Sequence, residues 1–204
     1  MNWIKENTTL HGETVDLLPM AESHFGALIE LAKEKRIWEF IPIDMSTEEK
    51  CKAIFLKGFE ERTAGTQFPF VIFHKKENKI IGSTRLMNIV LLHKGLEIGW
   101  TWLHPDYWAT EVNLECKLLL LNFSFENLKA IRVQLKTDEN NIRSRKAIEK
   151  IGAQYEGILR QDFIRDNGSF RNSAYFSILD KEWNEKKVKL TALYKAKKKT
   201  HPRK

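Results

Sequence analysis

The sequence predicts one α/β (α+β) domain in which a mixed, mostly antiparallel sheet of about seven strands is flanked by helices. Two helical segments precede a run of three strands, and helices then alternate with strands before a final strand pair. The turn Asp166-Asn167-Gly168-Ser169 joins that last pair as a hairpin. With 204 residues and 42% hydrophobic content, the chain is long enough for one domain with a sizeable core.

The first half of the chain predicts one short strand, two helices and three longer strands. The first strand covers 13–18, and apolar residues at helical spacing predict a helix over 22–35. Ser46 or Thr47 caps a second helix, which carries acidic residues in its first turn. Strands with β-type patterning follow over 68–74, 79–89 and 95–103.

The second half alternates helices and strands and closes on the hairpin. A helix is predicted over 112–128, a strand over 131–136 and a helix from Asn140 or Asn141 to Ile151, just before Gly152. The last two strands are predicted over 154–164 and 170–180. The helices therefore cross the middle of the sheet.

Composition excludes several classes of protein. No apolar run reaches the roughly 18 residues of a membrane span, and no secretion signal is recognised at the N-terminus. Cys51 and Cys116 are far apart in predicted helices, which indicates reduced thiols and a cytoplasmic protein. The histidines have no partners at metal-ligand spacing, so no metal site is expected.

The basic charge is concentrated at the C-terminus. Residues 181–204 contain ten Lys and Arg against two acids, which leaves 24 against 25 for residues 1–180. We therefore expect a nearly neutral domain over 12–183 and a basic tail over 184–204. Such a tail is typical of a solvated terminus, and the alternative is a weak, salt-sensitive contact with RNA or the ribosome.

The stretch from Glu97 to Leu121 runs from a predicted strand through a short turn into a helix. The first N–H groups of a helix have no intrahelical partners and lie at the positive end of its dipole. Asp106, Thr110 and Asn113 offer capping side chains near the turn. The stretch is therefore a candidate anion site, although a strand-turn-helix alone is common.

Seven short motifs in a fixed order carry a family resemblance. They span roughly residues 12–183 and read Phe68-Pro69-Phe70, Ile81-Gly82-Ser83-Thr84-Arg85, Glu97-Ile98-Gly99-Trp100, Asn141-Ile142-Arg143-Ser144, Glu149-Lys150-Ile151-Gly152-Ala153, Glu156-Gly157-Ile158-Leu159-Arg160 and Asp180-Lys181-Glu182-Trp183. In these motifs the chain resembles the Gcn5-related N-acetyltransferases (GNAT superfamily), in particular the branch of ribosomal-protein N-terminal acetyltransferases (RimJ/RimL-like).

The resemblance implies a splayed sheet that holds acetyl-CoA. The pantetheine would lie where strand 95–103 parts from strand 131–136 and would bond the backbone near Trp102 and Leu103. The pyrophosphate would rest on the loop and helix start Trp108, Ala109, Thr110, Glu111, Val112 and Asn113, and Asn141 would contact the pantetheine amides or cap its own helix.

One departure from the family pattern falls in the pyrophosphate loop. Ala109 and Glu111 stand where relatives usually carry glycine, which lets the backbone approach phosphates closely. Alanine is mild there if its φ is negative, and Glu111 avoids repelling the phosphates if it turns to solvent. Weakened but usable cofactor binding and lost binding are both open.

The expected reaction is direct attack of a neutral primary amine on the acetyl thioester. It needs a base, for which Glu97 is the first candidate, either directly or through a water. Relatives often use a tyrosine as the acid, but Ile148 occupies that place, so Ser144 is the nearest hydroxyl. The alternatives are a paired structural role for Glu97 and a helix-start cap for Ser144.

The acceptor is not readable from the sequence. Trp38 and Arg85 are candidates for shaping its pocket, with core packing and ion pairing as the alternatives. We expect a monomeric or homodimeric N-acetyltransferase that acts on a protein N-terminus or a small amine. The alternative is a weak or inactive GNAT-fold scaffold, possibly ribosome- or RNA-associated through its basic tail.

Overall fold

A computed structural model describes residues 3–200, which form an eight-stranded sheet with helices on both faces. The strands are β1 Leu10–His11, β2 Val15–Pro19, β3 Phe68–His74, β4 Lys79–Val90, β5 Gly95–Leu103, β6 Arg132–Asp138, β7 Gln154–Ile164 and β8 Phe170–Leu179. The α-helices are α1 Phe25–Ala32, α2 Glu48–Thr63, α3 Val112–Asn122, α4 Ile142–Lys150 and α5 Asp180–Thr200.

The spatial strand order is β1-β2-β3-β4-β5-β6-β8-β7, and every neighbouring pair is antiparallel except β5 and β6. The predicted mixed, mostly antiparallel sheet is therefore confirmed. The additional strand is β1, a two-residue edge strand in which Leu10 pairs with Leu17. Its two residues are too few to show an alternating pattern in the sequence.

Alternation along the strands divides the core into two clusters. On β3, Phe68, Phe70 and Ile72 pack into the cluster that contains α3 and α5, whereas Val71 packs into the cluster beneath α1 and α2. This is the two-residue periodicity of a strand that is covered on both faces. The sheet is thus the middle layer of a three-layer domain.

Two helices differ from their predicted lengths. The first keeps α-geometry only over Phe25–Ala32, with 3-10 turns over Glu22–His24 and Lys35–Ile37. The predicted helix over 112–128 ends its α-part at Asn122 and finishes in a π-turn, Phe123–Asn127. In that turn the Ser124 hydroxyl donates to the Leu120 carbonyl at 2.7 Å. Such a back-bond competes with the helix ladder.

The segment that the sequence assigned to a basic tail is largely the helix α5. Its Trp183, Leu190 and Tyr194 are buried in the cluster shared with α3. Trp183 stacks on Phe125 with ring centroids 5.3 Å apart. The last residues, 201–204, lie outside the described part. Among the described residues no helix is long and apolar enough to cross a membrane.

Both cysteines, Cys51 and Cys116, are free and buried. Burial raises the pKa of each thiol to about 12. Because the thiolate is the reactive form, both side chains act as core thiols.

Candidate active site

The central feature of the site is the point where β5 and β6 separate. The two strands pair in parallel at three positions and the last pair is Glu97 with Gln134, although β5 continues to Leu103 and β6 to Asp138. A cavity of about 600 Å³ opens beyond this point. Its walls come from β5, β6, the start of α3, α4, the loop around Ile41, the β7–β8 hairpin and the last turn of α5.

A bulge in β5 turns the strand at the cavity. Arg85 pairs with Gly99 and Ser83 pairs with Trp102, so two residues of β5 oppose one residue of β4. The first of the two, Trp100, has a φ of 47°. An extra residue of this kind bends its strand and disrupts the ladder locally. The bulge lies beyond the last pair of β5 with β6, in the part of β5 that borders the cavity.

Arg85 supports the bulge from outside the cavity. Its guanidinium lies 4.8 Å from the centre of the Trp100 ring, and its Nη1 donates to Gln67 Oε1 at 3.0 Å. The side chain is 4% exposed, and burial lowers its pKa to about 10. Arg85 does not line the cavity, so its geometry is that of a supporting residue behind Trp100.

The loop before α3 is tightly fixed. The Thr110 hydroxyl donates to the Tyr107 carbonyl at 2.7 Å and accepts from the Val112 N–H at 3.3 Å. Trp108 Nε1 donates to the Leu103 carbonyl, and the Arg143 guanidinium stacks 3.7 Å from the centre of the Trp108 ring. The loop is therefore held to both β5 and α4.

Ala109 adopts the left-handed conformation, with a φ of 58°. The condition under which alanine would be mild here, a negative φ, is therefore not met. The loop keeps a backbone shape that favours glycine, although no glycine is present. The Ala109 side chain is exposed and lines the cavity.

Glu111 is buried, so the expectation that it could turn to solvent is wrong. It is 5% exposed, and its Oε2 has no hydrogen-bond donor among residues 3–200. Its φ of −70° is an ordinary helical value, so glycine is not required at this position. Glu111 and Val112 do not line the cavity, which reduces any direct repulsion of a bound anion.

Glu97 lies at the floor of the cavity and is 2% exposed. Its Oε2 accepts hydrogen bonds from Asn88 Nδ2 and Gln134 Nε2, both at 2.9 Å, and lies 3.9 Å from Lys136 Nζ. These hydrogen bonds fix the carboxylate, and both are accepted by Oε2. Glu97 is thus hydrogen-bonded and also lines the cavity, and its role as the base stays a prediction.

The start of α4 brings Asn141 and Ser144 to the opposite wall. Asn141 Oδ1 accepts from the Ser144 N–H at 2.9 Å, so Asn141 is the helix cap. The Ser144 hydroxyl makes no hydrogen bond to another described residue, and both side chains line the cavity. Ile148, one turn further along, is buried at the same wall.

Most of the sequence-predicted site residues meet at this cavity. Glu97, Trp102, Leu103, Trp108, Ala109, Thr110, Asn113, Asn141 and Ser144 all line it. Trp38 does not: its ring packs 5.4 Å from Trp102 and its Nε1 donates to the Ala32 carbonyl, which places it in the core beneath α1 and α2. Among residues 3–200 no group of three metal-ligating side chains is found.

Lys117 is a cavity residue that sequence reasoning missed. It is 6% exposed on α3, and its Nζ donates to Thr101 Oγ1 at 2.7 Å. Burial lowers its pKa to about 8. Its neighbours in α3 are mainly apolar, and a lysine within an apolar helix is usually read as a surface residue. Only the fold shows that it faces the cavity.

Basic side chains outnumber acidic ones along the cavity wall. One carboxylate, Glu97, is outnumbered by six basic side chains: Lys117, Lys136, Arg143, Lys150, Arg171 and Lys197. An arrangement of this kind favours an anionic ligand, because basic side chains form charge-assisted hydrogen bonds with phosphate oxygens.

The chain is similar in sequence and in fold to known N-acetyltransferases. The family model "Acetyltransferase (GNAT) domain" matches residues 15–154. The chain is 26% identical over 158 residues to Bacillus subtilis YnaD, an uncharacterized N-acetyltransferase, which covers 78% of this chain and 89% of that protein. A GCN5-related N-acetyltransferase from Brucella melitensis has a TM-score of 0.84 at 25% identity and covers 93% of this chain and 86% of that chain. Mycobacterium smegmatis RimJ, solved in complex with CoA-disulfide, shares the fold with a TM-score of 0.80 at 18% identity, covering 92% and 95%.

Proposed function

The chain belongs to the GNAT family of acetyltransferases, and on this basis we propose that it transfers acetyl from acetyl-CoA to a primary amine. The observation that carries the proposal is the basic cavity at the strand separation, with Glu97 on one wall and Ser144 on the other. The acceptor is a protein N-terminus, as in the RimJ/RimL-like branch, or a small amine.

The residues present fit acetyl-CoA. Beyond the pair Glu97–Gln134, β5 and β6 have no ladder bonds between them, so backbone groups are left for the amides of pantetheine. The left-handed backbone at Ala109 preserves the shape of a phosphate-binding loop at the start of α3. Four of the six basic side chains, namely Lys117, Arg143, Lys150 and Lys197, have no carboxylate partner among residues 3–200 and can balance a ligand with several phosphates, whereas Lys136 and Arg171 lie against carboxylates.

Acetyl-CoA would supply the activated acetyl thioester, and the chain would supply positioning and proton transfer. Glu97 takes the proton of the attacking amine, directly or through a water, because Asn88 and Gln134 hold Oε2 and leave Oε1 less engaged. As the carbon–sulfur bond breaks, Ser144 passes its hydroxyl proton to the leaving thiolate and takes a replacement from water, since this hydroxyl is not used as the helix cap. Asn141 positions the pantetheine while capping α4.

The acceptor end of the cavity has apolar walls. They come from Phe40, Ile41, Pro42 and Ile43 on one side and Phe163 and Ile164 on the other. The two sides are joined where the Asp166 N–H donates to the Pro42 carbonyl and Lys50 Nζ pairs with Asp166 at 2.6 Å. We therefore propose an acceptor with an apolar group close to its amine.

A second candidate function is a GNAT-fold scaffold with poor cofactor binding. Two observations favour it: the strained Ala109 and the buried Glu111 carboxylate beside the start of α3. Contact with RNA or the ribosome through the C-terminal segment belongs to this alternative. It predicts that the purified protein does not bind acetyl-CoA and co-sediments with ribosomes.

Calorimetric titration with acetyl-CoA separates the two candidates. Binding at micromolar levels supports the enzyme, and pools of short peptides with free N-termini and of small primary amines can then be screened by thiol release. Absence of binding by the folded protein would contradict the proposed activity.

Glu97→Gln tests the base once an acceptor is found. We expect turnover to fall by about 100-fold, at the lower end of the range for a general base, with acetyl-CoA affinity unchanged. The control is Glu60→Gln, an exposed change of the same chemistry on α2. Equal turnover in native protein and Glu97→Gln would remove Glu97 from the reaction.

A further inference from the structure

Helix α5 runs antiparallel to α3 and extends along the whole of α3. Near its start, Trp183 stacks on Phe125, which lies just beyond the C-terminal end of α3. Further along, Tyr194 OH donates to Glu115 Oε1 at 2.9 Å, in the first turn of α3. The last turn of α5 therefore lies beside the N-terminus of α3, where the cavity begins.

Because of this packing, Lys197 in the last turn of α5 lies at the cavity. It follows Tyr194 by three residues, which is about 4.5 Å along a helix. Its side chain is partly buried and lines the cavity together with Ala109, Thr110 and Asn113. Lys197 has no carboxylate partner among residues 3–200.

The neighbouring lysines behave differently. Lys198 pairs with Glu13 at 2.6 Å and lies over the Tyr194 ring, which fixes the end of the helix. Lys199 is exposed and does not line the cavity. Lys197 is thus the basic residue of the last turn that is both held in position and available to a ligand.

We propose that α5 is a cofactor-binding element and that Lys197 binds the pyrophosphate of acetyl-CoA. This inference rests on the proposed function. Lys117, which is over nine-tenths buried and lines the same cavity without a carboxylate partner, adds a second cation on the α3 side. A lysine from α5 offsets the missing loop glycines, because it supplies a charge-assisted hydrogen bond to phosphate that does not depend on close backbone approach.

The test is calorimetric titration of native protein, Lys197→Ala and Lys199→Ala with CoA and with 3′-dephospho-CoA. Lys199→Ala removes the same charge from the same turn. We expect Lys197→Ala to weaken both ligands by about 10-fold, which corresponds to about 1.4 kcal/mol, and Lys199→Ala to leave both affinities unchanged. Lys197→Arg should restore most of the affinity, and its binding should regain the salt dependence lost in Lys197→Ala.

Three outcomes would overturn the inference. Equal affinities of native protein and Lys197→Ala would show that α5 does not bind the cofactor. A loss for CoA but not for 3′-dephospho-CoA would assign Lys197 to the 3′-phosphate. If the native protein binds neither ligand, the proposed function fails as well, whereas the first two outcomes leave it intact. Thermal midpoints of all variants should match, because the Lys197 side chain makes no described hydrogen bond.

Discussion

Replacement of Ala109 by glycine should stabilise the protein. An L-residue in the left-handed region costs about 1–2 kcal/mol, and the φ of Ala109 is 58°. Glycine removes this cost but adds about 0.5–1 kcal/mol of chain entropy in the unfolded state. Since the Ala109 side chain is exposed, no packing is lost, and the middle of the two ranges gives a net gain of about 0.75 kcal/mol. For a domain of this size the thermal midpoint should rise by about 1–4 °C.

The matched control is Lys94→Gly, another exposed residue with a positive φ, 45°, that lies outside the cavity. Both variants should melt at higher temperature in scanning calorimetry. Only Ala109→Gly should also bind acetyl-CoA more tightly, because the Cβ no longer separates the backbone from the phosphates. A lower thermal midpoint for Ala109→Gly would refute the strain argument.

Two further predictions concern buried charges on α3. Glu115 accepts hydrogen bonds from the N–H groups of residues 13–15 and from Tyr194 OH. Glu115→Gln should therefore lower the free energy of unfolding by about 3 kcal/mol and the thermal midpoint by about 10 °C, whereas the exposed Glu185→Gln should change neither. A near-native midpoint for Glu115→Gln would contradict this prediction. The pKa of Lys117 is lowered to about 8 from 10.5, so between these pH values the unfolded chain binds more protons and native stability rises with pH. In urea unfolding, the free energy of unfolding of the native protein relative to that of Lys117→Met should therefore be higher at pH 10 than at pH 7. If the difference between the two proteins is the same at both pH values, the burial of a charged amine is contradicted.

The sequence predicted those elements whose own pattern decides their structure. Strands β3, β5 and β7 have the predicted bounds, because apolar, β-branched or aromatic residues in each are bounded by polar or turn-forming segments. The separation of β5 from β6 was predicted from the family resemblance, whereas the bulge at Trp100 was not, since a bulge depends on the register between two strands. Trp38 was assigned to the acceptor pocket, whereas it packs behind Trp102.

Helix α5 shows why other features were not predictable. Its lysine-rich sequence has only a few apolar residues, and such a segment by itself is more typical of a solvated terminus. The residues that hold α5 in place lie elsewhere in the chain: Trp183 stacks on Phe125, and Tyr194 OH donates a hydrogen bond to Glu115. Glu111 is a parallel case, because nothing local in the sequence shows that its side chain turns inward.

The pyrophosphate loop and α5 are best understood together. At the start of α3 the chain has a left-handed alanine, whose Cβ limits close approach of the backbone to a phosphate, and a buried glutamate that does not line the cavity. The same place receives the last turn of α5, which adds a lysine to the cavity. A phosphate held by side-chain charge tolerates a less close backbone, whereas one held by backbone N–H groups requires glycine. On the proposed role of Lys197, the lysine of α5 therefore compensates for the absent loop glycine as long as α5 stays packed against α3. The double variant Ala109→Gly with Lys197→Ala should accordingly bind acetyl-CoA more tightly than Lys197→Ala alone.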